Sequence, residues 1–318
     1  MRDAMVLELA ALVTGGLGFI GSKLVKALLA EGQEVTVFDI SSDTKRIDDV
    51  IDRVKFVRGD IASIDDLLQV VKKDEVDTVF HLAALLMLDC EANPWRALKT
   101  NVDGTANVLE VSRLCHVKKV VFPSTRAAFG PGDAKPLRED DPKRPNSIYG
   151  ITKLLCEQYG LKYNSLYGLD FRCVRFVMVY GPGRTMGGSA FGTQLIENPA
   201  LGKLAQIPYG PDELTDWLYV EDAVKALLMI RDVASLKRRI YNINGETRSI
   251  GEVANIVRKI LPKAVIEFTP GEIKLNHRYP LLDDSEARRD LGWAPGLTIE
   301  DGIRNHVNEI VKVSRPIK

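Results

Sequence analysis

The sequence is poor in the residues and runs that mark several classes of protein. Its four cysteines, Cys90, Cys115, Cys156 and Cys173, are scattered, with no CxxC pair and no histidine at metal-site spacing. They are therefore expected to be reduced thiols of a cytoplasmic protein, and no metal is expected. No stretch approaches the length of a membrane-spanning helix, since the apolar run FHLAALLML ends at Asp89.

Charge of one sign is not in excess either. Lysine plus arginine number 43 and aspartate plus glutamate number 43, so neither nucleic acid nor an anionic membrane is indicated as a partner. Of the 318 residues, 45% are hydrophobic and 27% charged, which is typical of a soluble globular protein with a sizeable core. The N-terminal stretch lacks a small-residue cleavage site, so no signal peptide is expected.

Short β-branched runs alternate with longer helical patterns along the chain. The strands are predicted at LAALVTG, EVTVFD, VKFVRGD, VDTVFHLAA, KKVVFPST and FRCVRFVMVYG. The helices are predicted at FIGSKLVKALLAEG, SIDDLLQVVKKD, PWRALKTNVDGTANVLEVSRLC and SIYGITKLLCEQYGLKYNSLYG. A strand followed by a helix, repeated in this way, predicts an α/β fold with a doubly wound parallel sheet.

The pattern loosens after Tyr180 into glycine- and proline-rich loops. The later segments YVEDAVKALLMIRDV and RIYNING, within 218–245, are predicted to return to the main sheet. The predicted division is a main domain of residues 1–179 with 218–245, and a smaller α/β substrate-binding lobe of residues 180–217 and 246–318.

The stretch TGGLGFIG ends the first predicted strand and opens the first predicted helix. Gly15, Gly18 and Gly21 have the spacing GxxGxxG, and Phe19 and Ile20 begin the helix. Glycines in this position permit a tight turn and let backbone amides approach a pyrophosphate at the helix N-terminus. The main domain is therefore predicted to bind a dinucleotide.

Asp39, at the end of the second predicted strand, favours NAD over NADP. A carboxylate at this point accepts the hydroxyl groups of the adenosine ribose and repels a 2′-phosphate. Lys45 and Arg46 lie close enough downstream to leave NADP as the lesser alternative. The structural alternative for Asp39 is an ordinary solvated acid at a strand end.

Seven motifs follow one another over nearly the whole chain. They are TGGLGFIG, GDI (59–61), VFHLAA (79–84), NVDGTANVLE (101–110), PSTRAAFG (123–130), YGITK (149–153) and LGWAP (291–295). In this order they resemble an extended short-chain dehydrogenase/reductase of the NAD-dependent epimerase/dehydratase type. The resemblance implies a Rossmann-type fold, NAD as cofactor and a homodimer. The further cofactor contacts that it implies are Asp60, Ile61, Leu82, Ala83, Ala84, Asn101, Phe176 and Val177.

The YGITK motif places Tyr149 four residues before Lys153, so both side chains lie on one face of the predicted helix. By the resemblance, Tyr149 is the catalytic acid/base and Lys153 is its partner, and both also contact the cofactor. A cation about 4 Å away in an effective dielectric near 20 contributes about 4 kcal/mol. That is enough to lower the pKa of a phenol by about three units. Thr125, with Ser124 beside it, is the hydroxyl that the resemblance places next to the substrate oxygen.

The residues around this set depart from the pattern of enzymes that act on nucleotide sugars. Those enzymes tend to carry an asparagine where this chain has Met178, and an arginine where it has Thr215. A third expected arginine falls near Ile273, although Arg278 could substitute. The substrate is therefore expected to carry no nucleotide.

Two further arginines are candidates for contact with an anionic substrate group. Arg126 directly follows the candidate hydroxyls of the PSTRAAFG motif, and its alternative is a surface salt bridge. Arg184 lies in the glycine-rich loop after Tyr180, and its alternative is an ordinary solvated arginine.

The sequence thus predicts an NAD-dependent oxidoreductase that transfers a hydride at a secondary alcohol carbon of a small molecule. The expected substrate is a sugar, a sugar acid or a hydroxy or amino acid, and the PST and AFG elements also resemble the short-chain type of threonine dehydrogenase. The alternative is a nucleotide-sugar epimerase or dehydratase of the UDP-glucose 4-epimerase type, which returns the hydride within each turnover. An alternative of another class is a non-catalytic NAD-sensing or scaffold protein, which typically lacks the tyrosine or the lysine.

Overall fold

The structure is a computed structural model that describes residues 10–132, 135–188, 190–271 and 280–314. The strands are β1 (Ala10–Thr14), β2 (Glu34–Asp39), β3 (Lys55–Arg58), β4 (Thr78–His81), β5 (Lys119–Thr125), β6 (Asp170–Phe176), β7 (Met178–Tyr180), β8 (Ala205–Ile207), β9 (Leu214–Tyr219), β10 (Ile240–Ile243), β11 (Glu246–Ser249) and β12 (Ile266–Phe268). The helices are α1 (Phe19–Ala30), α2 (Ile64–Lys73), α3 (Met87–Ala92), α4 (Pro94–Ala97), α5 (Gly104–Leu114), α6 (Ile148–Tyr167), α7 (Phe191–Ala200), α8 (Val220–Asp232), α9 (Ile250–Ile260), α10 (Ser285–Leu291) and α11 (Ile299–Ser314). A π-helical segment, Leu98–Asp103, joins α4 to α5.

The main sheet confirms the predicted α/β architecture. Within the described ranges it has seven strands in the order β10-β6-β5-β4-β1-β2-β3. β1 pairs in parallel with β2 and with β4, β2 pairs in parallel with β3, and β4 pairs in parallel with β5. The edge strand β10 comes from the segment RIYNING.

A change in strand order occurs beside β1. The chain passes from β3 at one edge to β4 on the other side of β1, and Thr14 of β1 pairs with His81 of β4. Ligands of open parallel sheets bind outside the carboxyl ends of strands at such a point. A ligand site is therefore expected at the carboxyl ends of β1 and β4.

Two compact units make up the part of the chain that the structure describes. Unit 1 consists of Met1–Leu85, Asn93–Pro123 and Leu155–Cys173. Unit 2 consists of Leu86–Ala92, Ser124–Leu154 and Val174–Lys318. The division into a cofactor domain and a substrate lobe at residue 180 stays a prediction.

Buried apolar side chains explain the strands of unit 1. Leu12 and Val13 of β1, and Val79 and Phe80 of β4, are almost completely buried. Parallel strands covered on both faces read as continuous apolar runs, and the sequence has such runs here. Leu24 of α1 is also fully buried, as its position in the apolar spacing of this helix requires.

Two predictions of secondary structure are wrong. FRCVRFVMVYG was expected to be one strand, but β6 ends at Phe176 in the main sheet, and β7 belongs to a three-stranded sheet of order β11-β9-β7 among the described residues. NPALGK was expected to be loop, but its first three residues end α7. Leu195 and Ile196 of α7 are fully buried, so packing outweighs the helix-breaking tendency of the proline.

None of the helices within the described ranges is long and apolar enough to cross a membrane.

Candidate active site

The glycine-rich turn of unit 1 has backbone that other residues would not adopt readily. Gly15 has a φ of 70°, and its N–H donates to the carbonyl of Phe38 at 2.9 Å. A Cβ on Gly15 would lie 2.7 Å from the backbone nitrogen of Ala83, and a Cβ on Gly21 would overlap the carbonyl oxygen of Gly15. The turn therefore needs glycine both for its left-handed conformation and for close approach.

The N-terminus of α1 lies directly after this turn. Gly18 is the N-cap and contributes no side-chain hydrogen bond, so the amides of the first helical turn have no side-chain cap from it. Phe19 and Ile20 occupy the first two helical positions, as predicted. Helix amides without a cap, together with the positive end of the helix dipole, favour an anion such as a pyrophosphate.

Asp39 connects the end of β2 to the glycine-rich turn. Its Oδ2 accepts from the N–H of Leu17 at 3.0 Å, and its Oδ1 accepts from the N–H of Ser41 at 3.0 Å. Asp39 is thus half-buried and bound to two backbone amides, and its role in cofactor binding stays a prediction. Each carboxylate oxygen keeps a second acceptor site, so Asp39 can also accept ribose hydroxyls.

Asp60 and Ile61 shape the turn that follows β3. Asp60 Oδ1 accepts from the N–H of Ala62 at 2.9 Å. The side chain of Ile61 is buried and lies close to Gly104, because a Cβ on Gly104 would be only 2.7 Å from Ile61 Cδ1. The turn is therefore closely packed against the start of α5.

The segment Leu82–Leu85 follows β4 and is held at both ends within unit 1. The amides of Leu82 and Ala83 donate to the backbone oxygen and to Oγ1 of Thr14, at 3.0 and 3.3 Å. Leu85 is held by Asn101, whose Oδ1 accepts from its N–H at 2.8 Å and whose Nδ2 donates to its carbonyl at 3.1 Å. Asn101 lies in the π-helical segment, a form of helix that is frequent at functional sites. Ala84 lies inside the segment and is half-buried.

The candidate acid/base of unit 2 lies in the first turn of α6. The backbone carbonyl of Ser147 accepts the first helical hydrogen bond, and its Oγ accepts from the N–H of Gly150 at 3.1 Å. Tyr149 is half-buried at this capped end. Lys153 lies one turn later on the same face and is buried, so its ammonium group is shielded from water.

The candidate substrate hydroxyls end β5 in the same unit. Thr125 Oγ1 accepts from the N–H of Ala127 at 3.2 Å and caps a short 3₁₀ turn, whereas Ser124 is buried within the strand. A Cβ on Gly150 would overlap the carbonyl oxygen of Ala127. This contact brings the turn that carries Thr125 against the first turn of α6, which carries Tyr149.

Arg126 is buried, so the alternative of a surface salt bridge is wrong. Its side chain is only 3% exposed, and both terminal guanidinium nitrogens donate to Thr215 Oγ1 at 3.1 Å. Burial raises the pKa of the adjacent Asp216, and the positive charge of Arg126 opposes that rise. The guanidinium thus lies next to a buried carboxyl group, immediately after Thr125 in the chain.

The other residues predicted around the substrate differ in burial and in their contacts. Met178 is buried with its thioether close to Gly192, and Phe176 and Val177 are buried at the junction of β6 and β7. The guanidinium of Arg184 donates to the backbone carbonyls of Val179 in β7 and of Met186 in its own loop, and the residue is half-buried. The predictions for Ile273 and Arg278 lie outside the described residues.

Sequence reasoning missed a buried histidine beside the candidate cofactor segment. His81 Nδ1 lies 2.7 Å from Thr14 Oγ1, and His81 Nε2 lies 3.0 Å from Thr105 Oγ1. The polar residue inside the apolar motif VFHLAA was the available signal, because a buried polar group needs partners.

The family model of the NAD-dependent epimerase/dehydratase family matches residues 11–244. A putative UDP-glucose 4-epimerase of Methanocaldococcus jannaschii is 32% identical, over 93% of this chain and 97% of that protein. The mitochondrial L-threonine 3-dehydrogenase of Sus scrofa is 30% identical, over 93% of this chain and 81% of that protein. Among solved structures, L-threonine 3-dehydrogenase from Trypanosoma brucei has a TM-score of 0.88 at 28% identity, over 96% of this chain and 97% of that one.

These findings, with the parallel sheet and its glycine-rich turn, define the class of the protein. The chain belongs to the NAD-dependent epimerase/dehydratase family, and it is an NAD-dependent enzyme with a Rossmann-type fold. The residues of unit 1 fit this cofactor, because the glycine-rich turn leads into the start of α1, whose amides have no side-chain cap from Gly18 and can bind a pyrophosphate. The alternative of a non-catalytic NAD-sensing or scaffold protein is thereby set aside.

Proposed function

We propose that the protein is a dehydrogenase that oxidises a secondary alcohol of a small hydroxy or amino acid, sugar or sugar acid, with NAD as the acceptor. The observation that carries this proposal is the environment of Met178 and Thr215. Both side chains are buried, and both are engaged in packing or hydrogen bonding within unit 2. Neither offers the amide or guanidinium group that the pattern of nucleotide-sugar enzymes provides there.

The candidate catalytic residues then have distinct roles. The proposed cofactor contacts would hold NAD, which would supply the hydride acceptor for the alcohol carbon. Tyr149, as the phenolate, takes the proton of the alcohol as the carbon–oxygen double bond forms. Lys153 stabilises that phenolate by its positive charge, and Thr125, with Ser124 beside it, donates a hydrogen bond that orients the alcohol oxygen.

The proposed cofactor contacts comprise the glycine-rich turn with the start of α1, the ends of β2, β3, β4 and β6, one residue of the π-helical segment and two residues of α6. They are Gly15, Gly18, Phe19, Ile20, Gly21, Asp39, Asp60, Ile61, Leu82, Ala83, Ala84, Asn101, Tyr149, Lys153, Phe176 and Val177. Asp39 supports a preference for NAD over NADP, because a 2′-phosphate would meet its negative charge.

The positive charge of Arg126 supports a substrate with a carboxylate. Arg126 follows Thr125 directly, and a buried guanidinium raises the local electrostatic potential more than an exposed one does. The identity with the mitochondrial L-threonine 3-dehydrogenase of Sus scrofa points to the same substrate class.

We predict that NADH accumulates when the protein is mixed with NAD and a hydroxy or amino acid such as L-threonine. The absence of two charge-assisted hydrogen bonds, each about 1.5–3 kcal/mol, weakens binding of a nucleotide by roughly 10²- to 10⁴-fold. The accumulation of NADH is measured by its absorbance over a panel of hydroxy acids, amino acids and sugar acids. The weakness of nucleotide binding is measured by calorimetric titration of the NAD-loaded protein with UDP, dTDP and GDP.

A nucleotide-sugar epimerase is the second candidate, because the putative UDP-glucose 4-epimerase of Methanocaldococcus jannaschii is 32% identical to this chain. Interconversion of UDP-glucose and UDP-galactose without accumulation of NADH would establish it. Micromolar binding of any of the three nucleoside diphosphates would also contradict the dehydrogenase proposal.

We also propose that two copies of the chain form a homodimer through α5 and α6. Tyr163 of α6 donates to Glu110 of α5 at 3.1 Å, so the two helices are neighbours in unit 1. Large apolar side chains of these helices and of the residues before α5 are exposed to solvent in the single chain. They are Trp95, Leu98, Leu114, Leu155, Tyr159, Leu166 and Tyr167. Apolar side chains exposed on neighbouring helices support an interface with a second chain.

Light scattering at micromolar concentration is expected to give the mass of two chains of 35.3 kDa. Replacing Leu155 and Tyr159 together with lysine should reduce this mass to that of one chain, because the charges would be buried at the interface. Val265→Lys is the control, since Val265 is an exposed apolar residue of unit 2. A wild-type protein with the mass of one chain would refute the dimer.

A cytoplasmic location completes the proposal. Its support is the four cysteines, which are thiols in the structure, three of them buried.

A further inference from the structure

A buried chain of hydrogen bonds joins β1, β4 and α5 within unit 1. Thr14 Oγ1 lies 2.7 Å from His81 Nδ1, and His81 Nε2 lies 3.0 Å from Thr105 Oγ1. Thr105 Oγ1 lies 2.6 Å from the carbonyl oxygen of Asn101. The side chains of Thr14, His81, Asn101 and Thr105 are all buried. Buried polar groups linked in this way hold one another in a single arrangement.

The directions of these hydrogen bonds select one form of His81. Thr105 donates its one hydroxyl hydrogen to the carbonyl of Asn101, so towards His81 Nε2 it accepts. His81 therefore carries hydrogen on Nε2. Its Nδ1 then accepts from the hydroxyl of Thr14, while that hydroxyl oxygen accepts from the N–H of Ala83 at 3.3 Å. The assignment follows from the network of donors and acceptors.

Both ends of the chain reach the segment Leu82–Leu85. Thr14 binds the amides of Leu82 and Ala83, and Asn101 binds the amide and carbonyl of Leu85. The same segment lies against the glycine-rich turn, since a Cβ on Gly15 would be 2.7 Å from the nitrogen of Ala83. His81 lies in the middle and stacks on Phe122, with ring centroids 5.8 Å apart.

We infer that neutral His81, with hydrogen on Nε2, is a positioning residue for NAD binding. It connects Thr14 to Thr105, and through them it holds Leu82–Leu85 at the distance from the glycine-rich turn that the cofactor requires. The inference rests on the proposed cofactor contacts of Leu82, Ala83 and Ala84. His81 acts on the cofactor through these backbone groups and takes no part in proton transfer to the substrate.

The first test measures NAD affinity without turnover, by calorimetry on three variants. Thr14→Val and Thr105→Val each remove one hydroxyl while nearly keeping side-chain shape, and each is expected to raise the Kd for NAD about tenfold, since a buried hydrogen bond is broken. The double variant is expected to raise the Kd by clearly less than the product of the two single effects, because breaking either bond already releases the connection.

The matched control is Ser112→Ala. Ser112 is also a buried residue of α5, and its hydroxyl oxygen has no hydrogen-bond partner among the described residues. This variant is expected to leave the Kd unchanged. Multiplicative effects of Thr14→Val and Thr105→Val, or an effect of Thr105→Val no larger than that of Ser112→Ala, would overturn the inference. If the wild-type protein itself fails to bind NAD, the proposed cofactor contacts are wrong and the inference falls with them.

The second test measures directly which ring nitrogen of His81 carries the hydrogen. The chain has only four histidines, so ¹⁵N spectra of histidine-labelled protein are simple, and the His81→Gln variant assigns the signals of His81. The expected spectrum at neutral pH has a protonated Nε2 and an unprotonated Nδ1, both without and with NAD. Protonation of Nδ1, or of both nitrogens, would contradict the inference even if the variants bind NAD weakly.

Discussion

Replacing Tyr149 with phenylalanine is expected to lower kcat by at least about 10²-fold, the usual effect of losing a general acid/base, and to leave the Kd for NAD nearly unchanged. Tyr149 lies in the first turn of α6, which Ser147 caps, and buried Lys153 lies one turn further along the same face. Phenylalanine fills the same space and removes only the hydroxyl group. The loss should therefore appear in turnover and not in cofactor binding or folding.

Tyr159→Phe provides the control for this experiment. It makes the same change ten residues further along α6, at a position that is exposed in the single chain and outside the candidate active site. Turnover of this variant is expected to equal that of the wild type with the substrate found in the panel. If Tyr149→Phe retains more than a tenth of the wild-type rate, Tyr149 is not the acid/base.

Replacing Arg126 with methionine is expected to lower the free energy of unfolding by about 3–5 kcal/mol, the usual cost of leaving a buried charge without its partner. Asp216 has no exposed surface, and its carboxylate accepts from Thr247 Oγ1 and from the N–H of Leu282. Burial raises the pKa of Asp216, and the charge of Arg126 opposes that rise. Without Arg126, the carboxylate would be buried with less compensation.

The pH dependence of this variant follows from the raised pKa of Asp216. An acid whose pKa is higher in the folded than in the unfolded protein is favoured in the folded state when protonated. That stability is fully present below the unfolded value of about 3.9 and is lost as pH rises through the folded value. Removal of Arg126 raises the folded value further. The difference between wild type and Arg126→Met should therefore be largest at neutral pH and should narrow on acidification.

Urea denaturation from neutral to acidic pH measures the difference in stability between the wild type and Arg126→Met. Two further variants test whether the unpaired carboxylate of Asp216 causes that difference. Asp216→Asn combined with Arg126→Met should recover much of the stability, because the unpaired carboxylate is then absent. Arg248→Met is the control, since Arg248 pairs with Thr215 in the sheet register but its side chain is 46% exposed. Exposed ion pairs contribute about 0–1 kcal/mol. Equal losses for Arg126→Met and Arg248→Met would contradict the buried pairing.

The position of Arg126 could not be predicted from the residues around it in the sequence. Its place after Thr125 suggested contact with a substrate or with solvent, and nothing in the neighbouring residues indicated that it is buried. Its partner Thr215 is 89 residues away in the chain. From the sequence, Thr215 was interpreted only as a position where nucleotide-sugar enzymes tend to carry an arginine.

Local backbone requirements were readable from the sequence alone. The glycine-rich turn, the start of α1 at Phe19, Asp39 at the end of β2 and the spacing of Tyr149 and Lys153 depend on residues close together in the chain. The alternation of apolar runs with helical patterns likewise determined the parallel sheet, because each element must bury one or both of its faces.

Only the tertiary structure decided the contacts between distant residues. It placed His81 between Thr14 and Thr105, it separated β7 from β6 into another sheet, and it buried Arg126 beside Asp216. The bond between Thr14 and His81 joins residues 67 positions apart. Such contacts depend on how elements pack after the chain has folded, and neither residue spacing nor local propensity contains that information.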